Sequence, residues 1–175
     1  MKKTALALLT ISVSGLSAAQ STVTLYGVAD VALSKTTGSA TQLVSSATQN
    51  NGTSRWGMRG TEDLGGGLKA GFNFESQVSL LDGATAAALF ARAANVTLSG
   101  GFGSVKAGRS LTPSWHGTMA WELTQSANYA VVNSQFGYGG LNSRHNAEVS
   151  YTSPNWGGLN VTVGHLFAAN NGNVA

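Results

Sequence analysis

The connections between the extended segments of this chain alternate in length, and that alternation limits the folds open to it. A long polar stretch at 35–53 is followed by the turn Gly65-Gly66-Gly67, a medium stretch at 81–87, the turn Gly100-Gly101-Phe102-Gly103, a very long stretch at 111–142 and a turn at 154–158 (PNWGG). Antiparallel neighbours place successive connections at opposite ends of a sheet, so the short turns collect at one end and the long loops at the other. A soluble sandwich has no reason to sort its loops this way, whereas outer-membrane barrels pair short periplasmic turns with long external loops.

The segments themselves carry the period of strands. In the hairpin at 54–78, Trp56 and Met58 share one face while Arg55, Arg59 and Thr61 share the other. Its second arm alternates Leu68, Ala70, Phe72 and Phe74 against Lys69, Gly71, Asn73, Glu75 and Gln77, because side chains of a strand alternate with period two. Segment 22–34 sets Val23, Leu25, Val31 and Leu33 against Thr24, Tyr26 and Asp30. Further strands are expected at 89–99, 104–110, 144–153 and 159–167, about seven in all. The hairpin arms run to about ten residues, the length a tilted strand needs to cross a bilayer. The residues leave two environments open, a soluble or surface β-domain with a binding role and a transmembrane β-barrel, and the loop sorting favours the barrel.

Composition narrows the compartment. Lys2 and Lys3, an apolar run at 5–16 and the small residues Ser17-Ala18-Ala19 form the three parts of a secretory signal peptide, expected to occupy 1–19. Without Lys2 and Lys3, ten Lys and Arg become eight against seven Asp and Glu, so the basic balance gives no reason to expect a nucleic-acid partner. Cysteine is absent, which excludes disulfides, and charged residues are only 10% of the chain, well below the quarter usual in soluble domains. Beyond the leader no apolar run is long enough for a transmembrane helix.

No catalytic constellation emerges. His116 falls in the long aperiodic stretch, and His145 and His165 share parity with apolar residues, which favours a surface or interface position over a catalytic one, without a nucleophile motif. GGGLKAG and GGFGSVKAG fit hairpin turns better than phosphate loops, since neither matches GxxxxGK[ST]. The chain offers no close His pair or Cys for a metal, and neither a cofactor nor an enzymatic activity is expected. Parity instead assembles a charged wall, with Arg55, Arg59, Lys69, Lys106 and Arg144 beside Asp30, Glu75 and Glu148.

The stretches TLYGVADV, SRWGMRGTEDLGGGLKAGFNFES, LSGGFGSVKAGRSLTP and YTSPNWGGL together resemble the general porins of beta-proteobacterial outer membranes, including the neisserial type. The resemblance runs from about residue 22 to 167. It implies a homotrimer of sixteen-stranded antiparallel barrels in outer-membrane lipid, each passing small anions and hydrophilic solutes by diffusion. It also implies that 111–142 is the third external loop, folded inward to narrow the pore. Carried over by motif, Arg55 and Arg92, with Arg144, line the constriction and favour anions, and Glu122 is the single carboxylate of the loop opposite them. Two departures stand out. FARAANVTL replaces the family's usual Asn-Arg-Gln core around Arg92, and Arg92 shares its parity with Val96 and Leu98, so it needs a bulge or twist to reach the lumen. Sixteen strands at about 21 residues each require roughly 330 residues, so 20–175 is expected to be the N-terminal part of a barrel.

Overall fold

The computed structural model describes residues 22–124, 126–132 and 143–171. The expected signal peptide lies outside them, as do residues 125 and 133–142 of the expected third loop. Seven strands form one antiparallel sheet: β1 (Thr22–Val28), β4 (Arg55–Gly65), β5 (Leu68–Gln77), β6 (Ala93–Gly100), β7 (Gly103–Leu111), β8 (Arg144–Thr152) and β9 (Thr162–Leu166). They pair in that order, each with the next, so the sheet is a meander interrupted only by a two-stranded ribbon of β2 (Val31–Ser34) and β3 (Gln42–Ser45). Among the described residues the sheet is open, with β1 and β9 at its edges.

Glycine and Asx chemistry closes the short turns. Gly65, Gly66 and Gly67 all take positive φ between β4 and β5, and the Asp63 carboxylate accepts the Gly65 amide at 2.8 Å. Gly100 pairs with Gly103 across the next turn, and Asn155 accepts the Gly158 amide at 2.7 Å in the third. All three turns lie at one end of the sheet. The connection 78–92 and the described parts of 112–143 lie at the other, together with the β2–β3 ribbon.

Register turns the alternation into two continuous faces. Leu25, Met58, Phe74 and Ala94 are direct partners across four strands, and Phe72, Val96, Ala107, Val149 and His165 continue the same face through β9. The opposite face runs through Thr24, Arg59, Asn73, Asn95, Gly108 and Glu148. The usual distribution is inverted. Leu25 is 73% exposed and Val96 57%, while the buried side chains include Ser34, Asn50, Ser54, Ser76, Asn95 and Ser110. In water such a surface would associate, but against lipid it is the stable arrangement. No helix among the described residues is long and apolar enough to cross a membrane.

Several expected boundaries move. Segment 22–34 is two strands, because Asp30 leaves the sheet: its amide donates to Ser54 Oγ at 2.9 Å and its carboxylate accepts Asn50 Nδ2 at 2.7 Å and the Gly52 amide at 2.8 Å. The loop expected at 35–53 therefore contains β3. The fourth strand of the sheet begins at Ala93 rather than at 89, and the last at Thr162 rather than 159. The long stretch opens with a short helix, α1 (Pro113–Met119), capped by Thr112 Oγ1 accepting the Trp115 amide, with Pro113 in its first turn. A single helical turn, α2 (Ala168–Asn171), follows β9.

The pairing of β7 with β8 carries a bulge. Gly108 faces Glu148 and Ser110 faces His145, so Arg109 alone stands opposite Asn146 and Ala147. Two unusual backbone positions absorb the extra residue, Gly108 at φ 121° and Ala147 at φ 46°. The bulge also corrects the placement of His145. It stands opposite the buried Ser110 and is itself buried, whereas His165 is exposed on the apolar face with its ring edge-on to Phe167 at 4.9 Å.

Candidate functional site

At the long-loop end, three guanidinium groups gather around one carboxylate on the polar face, and a fourth stands beside them. Glu75 projects from the end of β5. Its Oε1 accepts Arg92 Nε at 2.6 Å and its Oε2 lies 3.5 Å from Arg55 Nε. The Tyr26 hydroxyl lies 3.0 Å from the same Oε2 and 2.9 Å from Asn73 Oδ1. The Arg55 side chain is tied down further by donating from Nη1 to the Thr53 carbonyl at 3.0 Å.

Arg92 reaches this group without any distortion of β6. It precedes the strand, so strand parity does not govern it, and its amide donates to the Glu75 carbonyl at 3.2 Å. Its own carbonyl accepts Arg144 Nε at 2.9 Å, which brings a third guanidinium alongside although the bulge has broken the parity that links Arg144 to Glu148.

The fourth member, Arg109, was not among the sequence candidates. By parity it belongs with Val105 and Ala107 on the apolar face. The β-bulge and the positive φ of Gly108 accompany a different course: Arg109 Nε donates to the Ala91 carbonyl at 2.5 Å and Nη1 to Asn146 Oδ1 at 2.7 Å, and its charge is felt by Arg144. A glycine immediately before an arginine in an otherwise regular strand was the available signal.

A cavity of about 550 Å³ opens beside the group, bordered by Arg55, Glu75, Arg92 and Arg144 on the wall and by Trp115 and Asn128 from the long stretch after β7. Three positive groups against one negative leave a surplus of two charges on the cavity lining, with Arg109 a further positive group beside Arg144. A preorganised guanidinium cluster of this kind attracts anions and can hydrogen-bond carboxylate or phosphate oxygens while they pass.

The other candidates lie elsewhere. Arg59 is exposed on the same face with its guanidinium 5.2 Å from the centroid of the Tyr26 ring. Lys69 pairs with Asp63 and Ser99 near the short-turn end. Six residues along β5 separate it from Glu75, about 20 Å at the rise of a strand. Lys106 stands between Thr97 and Ser150 and borders a second cavity with His116. Glu148, 3% exposed, is covered rather than open to the polar space. A Cβ on the neighbouring Gly164 would lie 3.1 Å from Glu148 Oε1 and 3.4 Å from Pro113 Cγ, which places this carboxylate beneath the start of α1. Glu122 does not face the arginines with a free carboxylate. Its Oε2 accepts the Thr124 amide, the Thr124 hydroxyl and the Ser126 amide, each at 2.8 Å, and these bonds, the Thr124 amide first, hold its pKa below the usual carboxylate range.

The Gram-negative porin family matches residues 4–175. The chain is 38% identical over 175 residues to outer membrane porin protein 32 of Delftia acidovorans, which covers 95% of this chain and 50% of that protein. It is 31% identical over 195 residues to an outer membrane porin of Bordetella pertussis, covering 97% and 49%. An anion-selective porin from Comamonas acidovorans superposes with a TM-score of 0.66 at 32% identity, across 86% of this chain and 48% of that one. The chain thus spans about half the length of the curated relatives it matches. A meander of strands apolar on one face and polar on the other, with its loops sorted to opposite ends, agrees with these matches, and the chain belongs to the Gram-negative porin family of the outer membrane.

Proposed function

We propose that this chain forms the N-terminal part of a water-filled outer-membrane channel for passive diffusion of ions and small hydrophilic solutes, with a preference for anions. In this reading a leader at 1–19 is removed, further strands complete a sixteen-stranded barrel, and three copies assemble. The stretch after β7 is the loop that narrows the pore. The observation that carries the reading is the group of Arg55, Arg92 and Arg144 with the single carboxylate Glu75, bordering an open cavity on the polar face, with Arg109 beside Arg144. The mechanism is electrostatic: a surplus of positive charge raises the local concentration of anions and lowers their barrier to passage, and no bond is made or broken. An anion-selective porin is also among the similar solved structures.

The test is the reversal potential of the complete protein in a planar bilayer under a salt gradient, comparing the parent channel with Glu75→Gln. The parent should pass anions in preference to cations. The variant removes the one carboxylate among the described residues lining the cavity without changing side-chain size, and its anion-to-cation permeability ratio should rise roughly threefold: one charge about 7 Å away in water, roughly halved by screening at 0.1 M salt, acts in opposite directions on the two ions. A cation-preferring parent, or a lower ratio in the variant, would refute the reading.

A pH dependence follows from α1. Burial first, and then the Lys106 ammonium, hold His116 below its ordinary value of 6.5, so the imidazole is neutral at pH 7 and gains its proton only on acidification below 6.5. The sign is that of a lowered basic group: the unfolded segment takes the proton more readily than the folded one, so the packing of α1 weakens as the pH falls below 6.5. The protonated ring also adds a positive charge beside Lys106. Anion preference should therefore increase between pH 7 and pH 5, and titrating the His116→Gln channel should flatten that part of the profile.

A further inference from the structure

We propose that the loop between β3 and β4 is a clasp that positions the narrowing loop, with Asn51 as the positioning residue. The proposal rests on the channel reading above and deepens it. Three hydrogen bonds join the two loops: the Asn128 amide donates to the Asn51 carbonyl at 3.3 Å, Asn128 Nδ2 donates to the Ala47 carbonyl at 3.0 Å, and the Tyr129 hydroxyl donates to Asn51 Oδ1 at 2.8 Å. The flanking Ala127 and Ala130 are buried, so this part of the narrowing loop lies close-packed rather than hanging in solvent.

The receiving side is built to stay in place. Asn50 and Ser54 are buried, and Asn50 bridges the Ala47 amide and the Asp30 carboxylate through its two amide atoms at 3.0 and 2.7 Å. Ser54 Oγ donates to the Asp30 carbonyl at 2.9 Å, and the Ser54 amide donates to Ser46 Oγ at 2.9 Å. Ser54 adjoins Arg55, the first residue of β4. The knot around Asp30 therefore ties the clasp directly to the wall that carries the arginines.

The narrowing loop has the opposite character between its two attachments. At its base the Thr112 amide donates to the Ser143 carbonyl at 3.0 Å, and α1 is held by its Thr112 cap. Beyond α1, Trp121 is 87% exposed and Leu123 is 96% exposed, and the Glu122 carboxylate bonds only within its own turn. The position of Asn128, which borders the same cavity as Arg55, Arg92 and Arg144, is thus set from the clasp side. Releasing the clasp lets that rim of the cavity move relative to the arginine group, and the cross-section available to a hydrated ion then fluctuates.

Two readouts on the complete protein test this. Asn51→Ala and Tyr129→Phe each remove the same side-chain bond, so each should speed amide exchange across 126–130 by roughly fivefold, the effect of one hydrogen bond, and the double variant no more than either single. Asn51→Asp keeps the acceptor for Tyr129 and should restore parental exchange. Asn128→Ala removes a separate bond and should multiply the effect of Asn51→Ala. In bilayers the same releasing variants should widen the open-channel current noise and blunt the anion-to-cation ratio; Asn51→Asp should restore the parental noise, while its added negative charge beside the cavity lowers the ratio for a separate, electrostatic reason. Parental exchange rates in both Asn51→Ala and Tyr129→Phe would overturn the clasp. Faster exchange with parental noise and selectivity would overturn its positioning role. A parent protein that does not conduct would instead refute the channel reading, while the exchange measurements would still decide the clasp.

Discussion

Gly108→Ala in the complete protein should fail to reach the folded barrel in good yield, with a destabilisation of at least about 4 kcal/mol. Two effects add at this position. The backbone φ of 121° lies where residues with a Cβ are strained, by about 1–3 kcal/mol. The added methyl would also overlap the carbonyl oxygen of Ala94 and lie 2.9 Å from Asn95 Cα. Both obstacles are backbone atoms of β6, and the pairings Ala94 with Arg109 and Asn95 with Gly108 pin them in register, so neither can yield as the end of a flexible side chain could. Relieving the overlap would pull β7 away from β6. It would break the bond from Asn95 Nδ2 to the Arg109 carbonyl at 3.0 Å and detach Arg109 from Ala91.

Gly66→Ala is the matched control. It also replaces a glycine of positive φ, but a Cβ there meets nothing within 4 Å, so only the backbone term of about 1 kcal/mol remains. Heat-dependent gel migration of the two refolded variants, with their thermal midpoints in detergent, separates them. Equal folded yields would show that the bulge at Gly108 is not a requirement of the sheet.

The same bulge marks where the sequence stops being readable. Strand identity and facing were legible because lipid on one side and water on the other impose a strict period of two, and a one-residue slip would expose every polar group of a strand to lipid. Leu25, Met58, Phe74 and Ala94 align as that rule requires. The rule failed wherever an individual hydrogen bond outweighed the period. Val31 and Leu33 continue the parity of β1, yet the chain leaves the sheet at Asp30 because Asn50, Gly52 and Ser54, over twenty residues away, capture that residue. Parity made Arg92 doubtful only because the strand was taken to start before it. Parity also hid Arg109, and it grouped His145 with the apolar face, because the two-against-one pairing at Asn146 and Ala147 cannot be inferred from hydropathy. For Glu122 the signal was present and local. A carboxylate followed at two and four residues by Thr124 and Ser126 can bond its own loop, and here it does.

Charge reversal at Arg92 should have the largest effect on selectivity. Arg92→Glu lowers the surplus on the cavity lining from two charges to none and places a second carboxylate where Arg92 Nε now stands 2.6 Å from Glu75 Oε1. At roughly threefold per unit charge at about 7 Å, a change of two units should cut the anion-to-cation permeability ratio by roughly tenfold. Distance supplies the comparison. Lys69→Glu makes the same change of charge on the same face, but about 20 Å along β5, beyond the screening length of about 10 Å at 0.1 M salt, and should alter the ratio by less than about twofold. Raising the salt should shrink the Arg92 effect without creating one at Lys69, since screening acts on the long-range term first. Equal shifts from the two substitutions would mean that net wall charge governs selectivity, and that the clustering of Arg55, Arg92 and Arg144 around Glu75 is a feature of packing. A large shift at Arg92 alone would locate the selective step at that cluster, where the long loop approaches the wall and ions pass closest to the guanidinium groups.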